Sequence, residues 1–591
     1  MDRSTGKDNL SMISKVYFRL FPVQVAIVAM GAVNSIVDGI IAGRFIDSKT
    51  VGVVGLYYTV IRILEAVGAV LLGGVSVLSG RSLGAGKVEK TRGICSLGFL
   101  LALFIGMVLS GISLGAPRTI AWLLGADEDL IGPLATYVMG YGIGIIPLLL
   151  AQQVAASLQL ERKEKLTQAG VLVMIGCNVG LDILLVAILD MGVWGLALAT
   201  SISNWAYFLV MVQHYFSPKA QLRPGFRVAS WSDTPMLLRI GLPNAILLGC
   251  LAARSLVFNR VLLSNAGQDG LSALSAFNMV SALAVAVAIG GGAVVRMLSS
   301  VFMGEENREG ILSLIRIAFT KVMILITVIG IVFMLASPFI ARGFFPDPDS
   351  AVYKMARQLF VIYFLSLPLV FLNIVFANHF QAFGFSVISN IVSVVDGFLS
   401  VVIPALILTP VLGAFGAWLS FPIGLVLTTL CLVVLVIIRL RRKPAGLSDW
   451  LLLPEEFGNS ERLILGIHDM EDVTETAAQV QAFCMEHGIG DRISMFAGLC
   501  LEEMAGNIVS HGFESNRKLN LVEVRVVIRP DEVVLRIKDG CVPFNPKEWY
   551  EMTGTSDPTS NIGIRLVFAL AKEVIYQNLL GLNVLTIKLN V

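Results

Sequence analysis

Apolar runs long enough to cross a bilayer recur from about residue 15 to residue 438, separated by short polar turns. A spanning helix needs roughly 20 predominantly apolar residues. Twelve runs reach that length, at about 15–43, 51–79, 93–115, 131–160, 166–190, 192–216, 236–263, 270–299, 312–341, 355–384, 386–409 and 412–438. After Lys443 the pattern changes. From about Pro454 charged helical stretches alternate with strands, and Leu521–Ile528 and Glu532–Lys538 predict two strands joined by Arg529-Pro530-Asp531.

The apolar part carries an internal repeat. Pro22 corresponds to Pro243, and Gly192-Val193-Trp194-Gly195 to Gly413-Ala414-Phe415-Gly416, both at an offset of 221. The Gly73-Gly74 pair has its partner in Gly291-Gly292, at 218. Six spans fit one period, so the chain predicts a multi-pass α-helical membrane protein with twelve transmembrane helices in two six-helix lobes, followed by a small α/β sandwich. Paired halves of this kind are common in secondary transporters. The expected divisions are a short N-terminal segment (1–14), a first lobe (15–216), a connecting loop (217–235), a second lobe (236–438), a basic linker (439–455) and a soluble domain (456–591).

Composition narrows the class. The chain is 56% hydrophobic and 15% charged, against about 25% charged in soluble domains, and its mean hydropathy is +0.79. A single soluble domain, a disordered chain and a fibrous repeat are excluded. The net charge of +2 gives no sign of bulk nucleic-acid binding. Seven cysteines without regular spacing form no disulfide or zinc pattern. The first apolar run is too long for a cleavable signal and contains Asp38. Basic residues cluster in alternate loops: Arg81, Lys87, Lys90 and Arg92; Arg162, Lys163 and Lys165; Lys219, Arg223 and Arg227; Arg439, Arg441, Arg442 and Lys443. The positive-inside rule places these loops and both termini in the cytoplasm of a cell (plasma or inner) membrane protein.

Ionisable residues inside spans are expensive and mark function. Asp38 lies nine residues before Asp47, and Asp182 eight before Asp190, which puts both about 12–14 Å inside the outer boundary at 1.5 Å per residue. Asn34 and Asn178 each precede their aspartate by four residues and share its face. Arg62 and Glu65 lie three apart in the second span at a similar level. The group has the ingredients of a coupling site for a proton or sodium ion; the plainer reading is an ion-pair cluster, such as Asp38 with Arg62. The second half offers Arg254, Arg260 and Asp396.

Residues 15–438 resemble the multidrug and toxic compound extrusion (MATE) family. The resemblance rests on the duplicated layout, Asn34-Ser35-Ile36-Val37-Asp38, the Gly84-Ala85-Gly86-Lys87 loop, Asn178-Val179-Gly180-Leu181-Asp182 and the run from Gly192 to Thr200. It implies an alternating exporter of small organic or cationic compounds, driven by sodium or proton entry, with Asp38 and Asp182 in the first-lobe cation site. It also implies that both aspartates would ligate Na+ if sodium is the driver. Some relatives carry acidic residues in spans 7 and 10, where this chain has Arg254 and Asn378. The related lipid-linked saccharide flippases share the architecture and are the alternative.

Three clusters stand in the soluble part. Glu503, Asn507 and His511 recur every four residues on one helix face; a carboxylate there can orient a water or hydroxyl while the amide ligates magnesium. Asp539-Gly540 ends a strand, where a buried carboxylate can accept from an adenine amino group. Asn561-Ile562-Gly563 opens a helix, whose free N–H groups favour phosphate. In this order the clusters resemble the N, G1 and G2 boxes of the GHKL ATP-binding fold, most closely the anti-sigma-factor serine kinases. The resemblance implies ATP and Mg2+ as ligands, Glu503 as general base, Asn507 as the Mg2+ ligand and Asp539 as adenine anchor. Gly540, Gly563 and Thr586 would complete the nucleotide site. It implies protein serine kinase or ATPase activity, and a partner of the anti-anti-sigma kind. Arg565 stands where a small residue is expected. No G-x-x-x-x-G-K-[ST] loop is present, so the expectation is a cation-coupled antiporter regulated by, or signalling through, a nucleotide-binding domain. A membrane-tethered serine kinase whose spans act as sensor is the alternative.

Overall fold

Among the described residues ten helices are long and apolar enough to cross a membrane, and Ala351–Leu365 with Leu367–Ala382, bent by 48°, make one further crossing. The longest helix, Thr234–Gly304, is interrupted at Gly267 (φ 64°, ψ −162°) and therefore carries two. The result is twelve crossings in two lobes. The computed structural model describes residues 3–41, 45–46, 48–218, 220–458, 462–513, 521–542, 544–553, 562–579 and 582–591. Asp47, Lys219 and Asn561, used in the reading above, lie outside the described residues.

The repeat is visible in backbone geometry. Gly192 (φ 56°) and Gly413 (φ 61°) both take the left-handed conformation that favours glycine, and each opens the last helix of its lobe. Three residues on, Gly195 and Gly416 lie so close to the Leu185 and Leu408 carbonyls that a β-carbon would press on either. The preceding helices both widen into a π-helical turn, at Ile183–Ile188 and Val395–Leu399.

The lobes are pressed together at one end. A β-carbon on Gly74 or Gly84 (helix Ser48–Gly84) would overlap the carbonyl of Leu237 or Val301, and one on Gly304 that of Arg81. Tyr17 Oη donates to the Gly291 carbonyl (2.9 Å), Arg81 Nε to that of Ala382 (3.0 Å) and Lys321 Nζ to Ser14 Oγ (2.8 Å). Farther along the same helices, no described residue comes within 4 Å of a β-carbon added to Gly31, Gly55 or Gly249. The end bearing the 84–88 and 304–308 turns is therefore shut. Gly84→Ala is expected to wedge this seam, since forcing a methyl into packed backbone costs about 1–3 kcal/mol. A lower Tm in nanodiscs, with the seam more reactive to thiol reagents, is the expected result.

The soluble domain is a five-stranded antiparallel sheet in the order β1-β2-β3-β5-β4. The strands are β1 (Arg462–Ile467), β2 (Val522–Ile528), β3 (Glu532–Asp539), β4 (Glu573–Leu579) and β5 (Leu582–Asn590). Alternation sends Val522, Val524, Leu535, Ile537, Leu585 and Ile587 to one face. There they form a core with helices Met470–Glu486, Asp491–Gly512 and Ile562–Leu570. Asp469 caps the first of these through the Glu471 and Asp472 amides. The other face carries Glu523, Arg525, Lys538, Val584 and Thr586, all buried. The linker is packed down: Arg442 pairs with Asp449 (2.6 Å), His379 Nε2 meets the Leu451 carbonyl (3.0 Å), and Leu451 and Leu453 join the membrane core.

Candidate functional site

The first lobe brings its two span aspartates together. Asn34 and Asp38 stand one turn apart on Arg3–Ile41, Asn178 and Asp182 one turn apart on Glu164–Asp182, and these helices pack on each other. All four side chains are buried, Asn178 and Asp182 completely. The Asp38 carboxyl lies against that of Asp182, with Asn178 and Thr200 beside it. The contact is acid against acid, and two carboxylates have no proton to give each other. Among the described residues, Asn34 Oδ1, one oxygen of Asp38, both oxygens of Asp182 and both amide atoms of Asn178 have no hydrogen-bond partner.

Buried carboxylates without donors are costly. A proton shared between the two acids relieves the pair, and so does a sodium ion, because every group present offers the hard oxygen such an ion prefers. The residues fit either cation. Behind them stands a wall that the sequence reading passed over. Tyr57, Tyr137 and Tyr141 pack with centroids 5.1 and 5.0 Å from Tyr57, and the Tyr57 hydroxyl has no partner. Tyr137 is near both acids. The π-helical turn begins immediately after Asp182, a feature frequent at functional sites.

Arg62 and Glu65 make a pair of their own, with Glu65 near Tyr141. They pair with each other at 2.8 Å, each more than 40% exposed, and Arg62 lies over the Tyr58 ring. No guanidinium clasp on Asp38 is among the described contacts. In the second lobe Arg254 lies close to Asp396, which has Thr428 beside it, while Arg260 is exposed.

In the soluble domain, Glu503 and Asn507 are partly exposed on one face of Asp491–Gly512, with His511 exposed at its end. The Glu503 carboxylate rests directly against Gly563, so closely that any β-carbon there would displace it. The base position of the first cluster and the glycine of the third therefore meet in space. Asp539 is buried at the end of β3, and its Oδ1 accepts from the Cys541 amide (2.8 Å) and Asn583 Nδ2 (2.7 Å). Burial pushes the Asp539 carboxyl up, and the bonds from Asn583 and Cys541 pull it back only in part. Asn583, itself held by Tyr576 and Asn578, is a residue that the sequence reading missed. A polar side chain in step with Leu585 and Ile587 was its signal. Among the described residues, Leu582 comes near Gly540, at 3.9 Å from an added β-carbon.

Thr586 is the correction. Lying an odd number of residues from Asn583, it points to the opposite face of the sheet, paired with Arg536 and Ile575, and the structure does not bring it to Asp539.

A family model described as MatE matches residues 25–188 and again 245–407, and a model of the histidine kinase-like ATPase domain matches 468–589. The multidrug export protein MepA of Staphylococcus aureus strain N315 is 24% identical over 421 residues, 69% of this chain and 90% of that protein. MepA of Staphylococcus haemolyticus strain JCSC1435 is 24% identical over 429 residues, 70% and 92%. A solved MOP superfamily transporter from Pyrococcus furiosus superposes with a TM-score of 0.65 at 21% identity, over 73% of this chain and 96% of that one. The Vibrio cholerae MATE transporter VcmN gives 0.65 at 15%, over 71% and 95%. These structures share the fold of the two lobes.

Proposed function

This chain belongs to the MatE family, and from that premise we propose that its membrane part is a cation-coupled secondary exporter of small organic compounds. It sits in the plasma membrane with both termini and the ATPase-like domain in the cytoplasm, as the basic loops favour. The observation that carries the reading is the Asp38–Asp182 contact, in which both Asp182 oxygens and one Asp38 oxygen have no hydrogen-bond partner among the described residues. With the cytoplasmic end shut, the acid pair takes its proton or sodium ion from the far side. Occupancy changes the repulsion between Arg3–Ile41 and Glu164–Asp182, and a ligand that binds two arrangements differently shifts the balance between them. Asn34 and Asn178 supply neutral oxygens, and Tyr57 and Tyr137 close the apolar side. The test is export of a panel of cationic dyes from vesicles with sodium and proton gradients imposed separately. Export driven by one gradient supports the reading; export indifferent to both contradicts it.

The soluble domain is read as binding ATP with Mg2+. Asp539, oriented by Asn583 and Cys541, takes the adenine amino group, with Gly540 next to it at the strand end. Asn507 holds Mg2+, which when bound neutralises phosphate charge. Glu503 orients and deprotonates the hydroxyl or water that attacks. Gly563→Ala is expected to move the Glu503 carboxylate while leaving Asp539 in place. A misplaced base costs up to about 10²-fold in rate, so phosphoryl transfer by the full-length protein should fall steeply with ATP affinity retained.

A further inference from the structure

The second face of the ATPase-like sheet is an interface. Lys538 Nζ reaches the Glu305 carboxylate at 2.6 Å, and the two side chains are only 7% and 2% exposed. Arg525 donates to the backbone carbonyls of Glu305 (2.9 Å) and Glu306 (2.8 Å), and Arg529 faces the Glu306 carboxylate at 3.5 Å. Glu305 and Glu306 form the turn between helices Thr234–Gly304 and Arg308–Ile317 of the second lobe. The next residue but one, Arg308, donates to the Pro454 (2.7 Å) and Phe457 (3.3 Å) carbonyls of the linker.

The same face also touches the first lobe. Met12 and Val16 of helix Arg3–Ile41 line one apolar seam with Phe302 of the second lobe and Val584 of β5. Gly86, in the turn after helix Ser48–Gly84, comes within reach of Ile575 on β4, 3.7 Å from an added β-carbon. The 84–88 and 304–308 turns are themselves pressed together, with Gly84 on Val301 and Gly304 on Arg81.

We propose that the ATPase-like domain is a clamp on the exporter: its sheet grips both lobes across their shut end, Lys538–Glu305 is the latch, and this end opens only after the domain lets go. The clamp deepens the exporter reading above and rests on it. The argument is mechanical. Opening at this end requires the 84–88 and 304–308 turns to separate, and a sheet bonded to the 304–308 turn and packed on the 84–88 turn and helix Arg3–Ile41 cannot follow two diverging bodies. The chemistry agrees, because removing either member of a buried pair leaves a charge without water or partner.

Burial alone would raise the Glu305 carboxyl, but Lys538, then Arg536 and Arg525, outweigh it and leave it below the ordinary carboxylate range. A lowered acid favours docking above its undocked value and loses that contribution only as pH falls through the docked one. The latch is therefore closed at neutral pH. Lys538 also adjoins Asp539 on β3, so latch and adenine anchor lie on one strand, facing opposite ways.

Charge reversal and exchange test the clamp in the full-length protein in proteoliposomes. Native cysteines are replaced and a probe is placed on the seam by Ser300→Cys, a fully buried site against Gly80. Labelling with a membrane-impermeant maleimide is then timed. Glu305→Lys and Lys538→Glu singly should each raise the labelling rate at least about tenfold. The Glu305→Lys/Lys538→Glu exchange should recover part of the protection lost in the singles, the remainder being withheld because Arg536 and Arg525 still face position 305. A seam equally protected in the single variants, or an exchange no better than the singles, overturns the clamp. Wild-type dye export is measured in the same vesicles. If that export is present while the labelling is indifferent, the clamp alone fails; if it is absent under both gradients, the exporter reading fails first.

Discussion

Replacing Asp38 and Asp182 together by asparagine is expected to cut gradient-driven export to the passive leak, a loss of at least about tenfold for a coupling charge held in the membrane. The variant should nevertheless fold with equal or greater thermal stability. Both parts follow from one observation. The two carboxyls face each other in a buried site with no donor on Asp182 and an orphaned oxygen on Asp38. Amides keep the shape, remove the repulsion and can donate to the vacant acceptors. They also cannot exchange a proton and bind a cation weakly. An ion-pair cluster that merely ties helices together predicts the reverse order, with stability lost and transport reduced only as folding fails. Export by the vesicle assay and Tm in nanodiscs, measured on the same preparation, separate the two.

The second large effect belongs to the soluble domain. Asp539→Ala should weaken ATP binding about 10–100-fold, the range expected when a hydrogen bond to a charged group worth about 1.5–3 kcal/mol is lost. The measurement is calorimetric titration of Mg-ATP into the full-length protein in nanodiscs. Asn583→Ala is the companion. It frees Asp539 without deleting the acceptor, so it should cost less. Because burial leaves the Asp539 carboxyl above its ordinary range, acidification should weaken binding before exposed carboxylates titrate. The protonated acid is a poorer acceptor, and the loss sets in as pH falls toward the raised value.

Much of this was legible as an anomaly against the background pattern. Asp38 and Asp182 stand out because a carboxylate in an apolar run has few reasons to be there, and their distance from the span ends follows from the helical rise alone. The repeat was legible through Gly192 and Gly413, whose positive φ tolerates little else. Helix rotation was not legible. Tyr57, Tyr137 and Tyr141 read as ordinary packing until the helices are set side by side. Arg62 and Glu65 satisfy each other at i, i+3, where a sequence reading could equally pair Arg62 with Asp38.

In the sheet, parity was the missing information. The strand containing Asn583 and Thr586 was recognised, but which residues face the helices depends on register with β3. That register puts Asn583 opposite Asp539 and Thr586 on the docking face. The docking itself was out of reach of a linear reading. Glu305 and Lys538 lie 233 residues apart, and neither is unusual in its own segment. The linker stood out in the sequence for its basic residues, whereas Leu451 and Leu453 are apolar anchors in the membrane core.

The central claim is that the buried acid pair exchanges an ion for each molecule expelled. The most direct measurement counts that ion: vesicles loaded with an exported dye, with sodium entry and internal pH followed alongside dye exit. The account predicts a fixed number of sodium ions or protons entering per dye molecule leaving, and none in the Asp38→Asn/Asp182→Asn variant. Dye leaving wild-type vesicles with no accompanying cation, or an unchanged ratio in the variant, would contradict it.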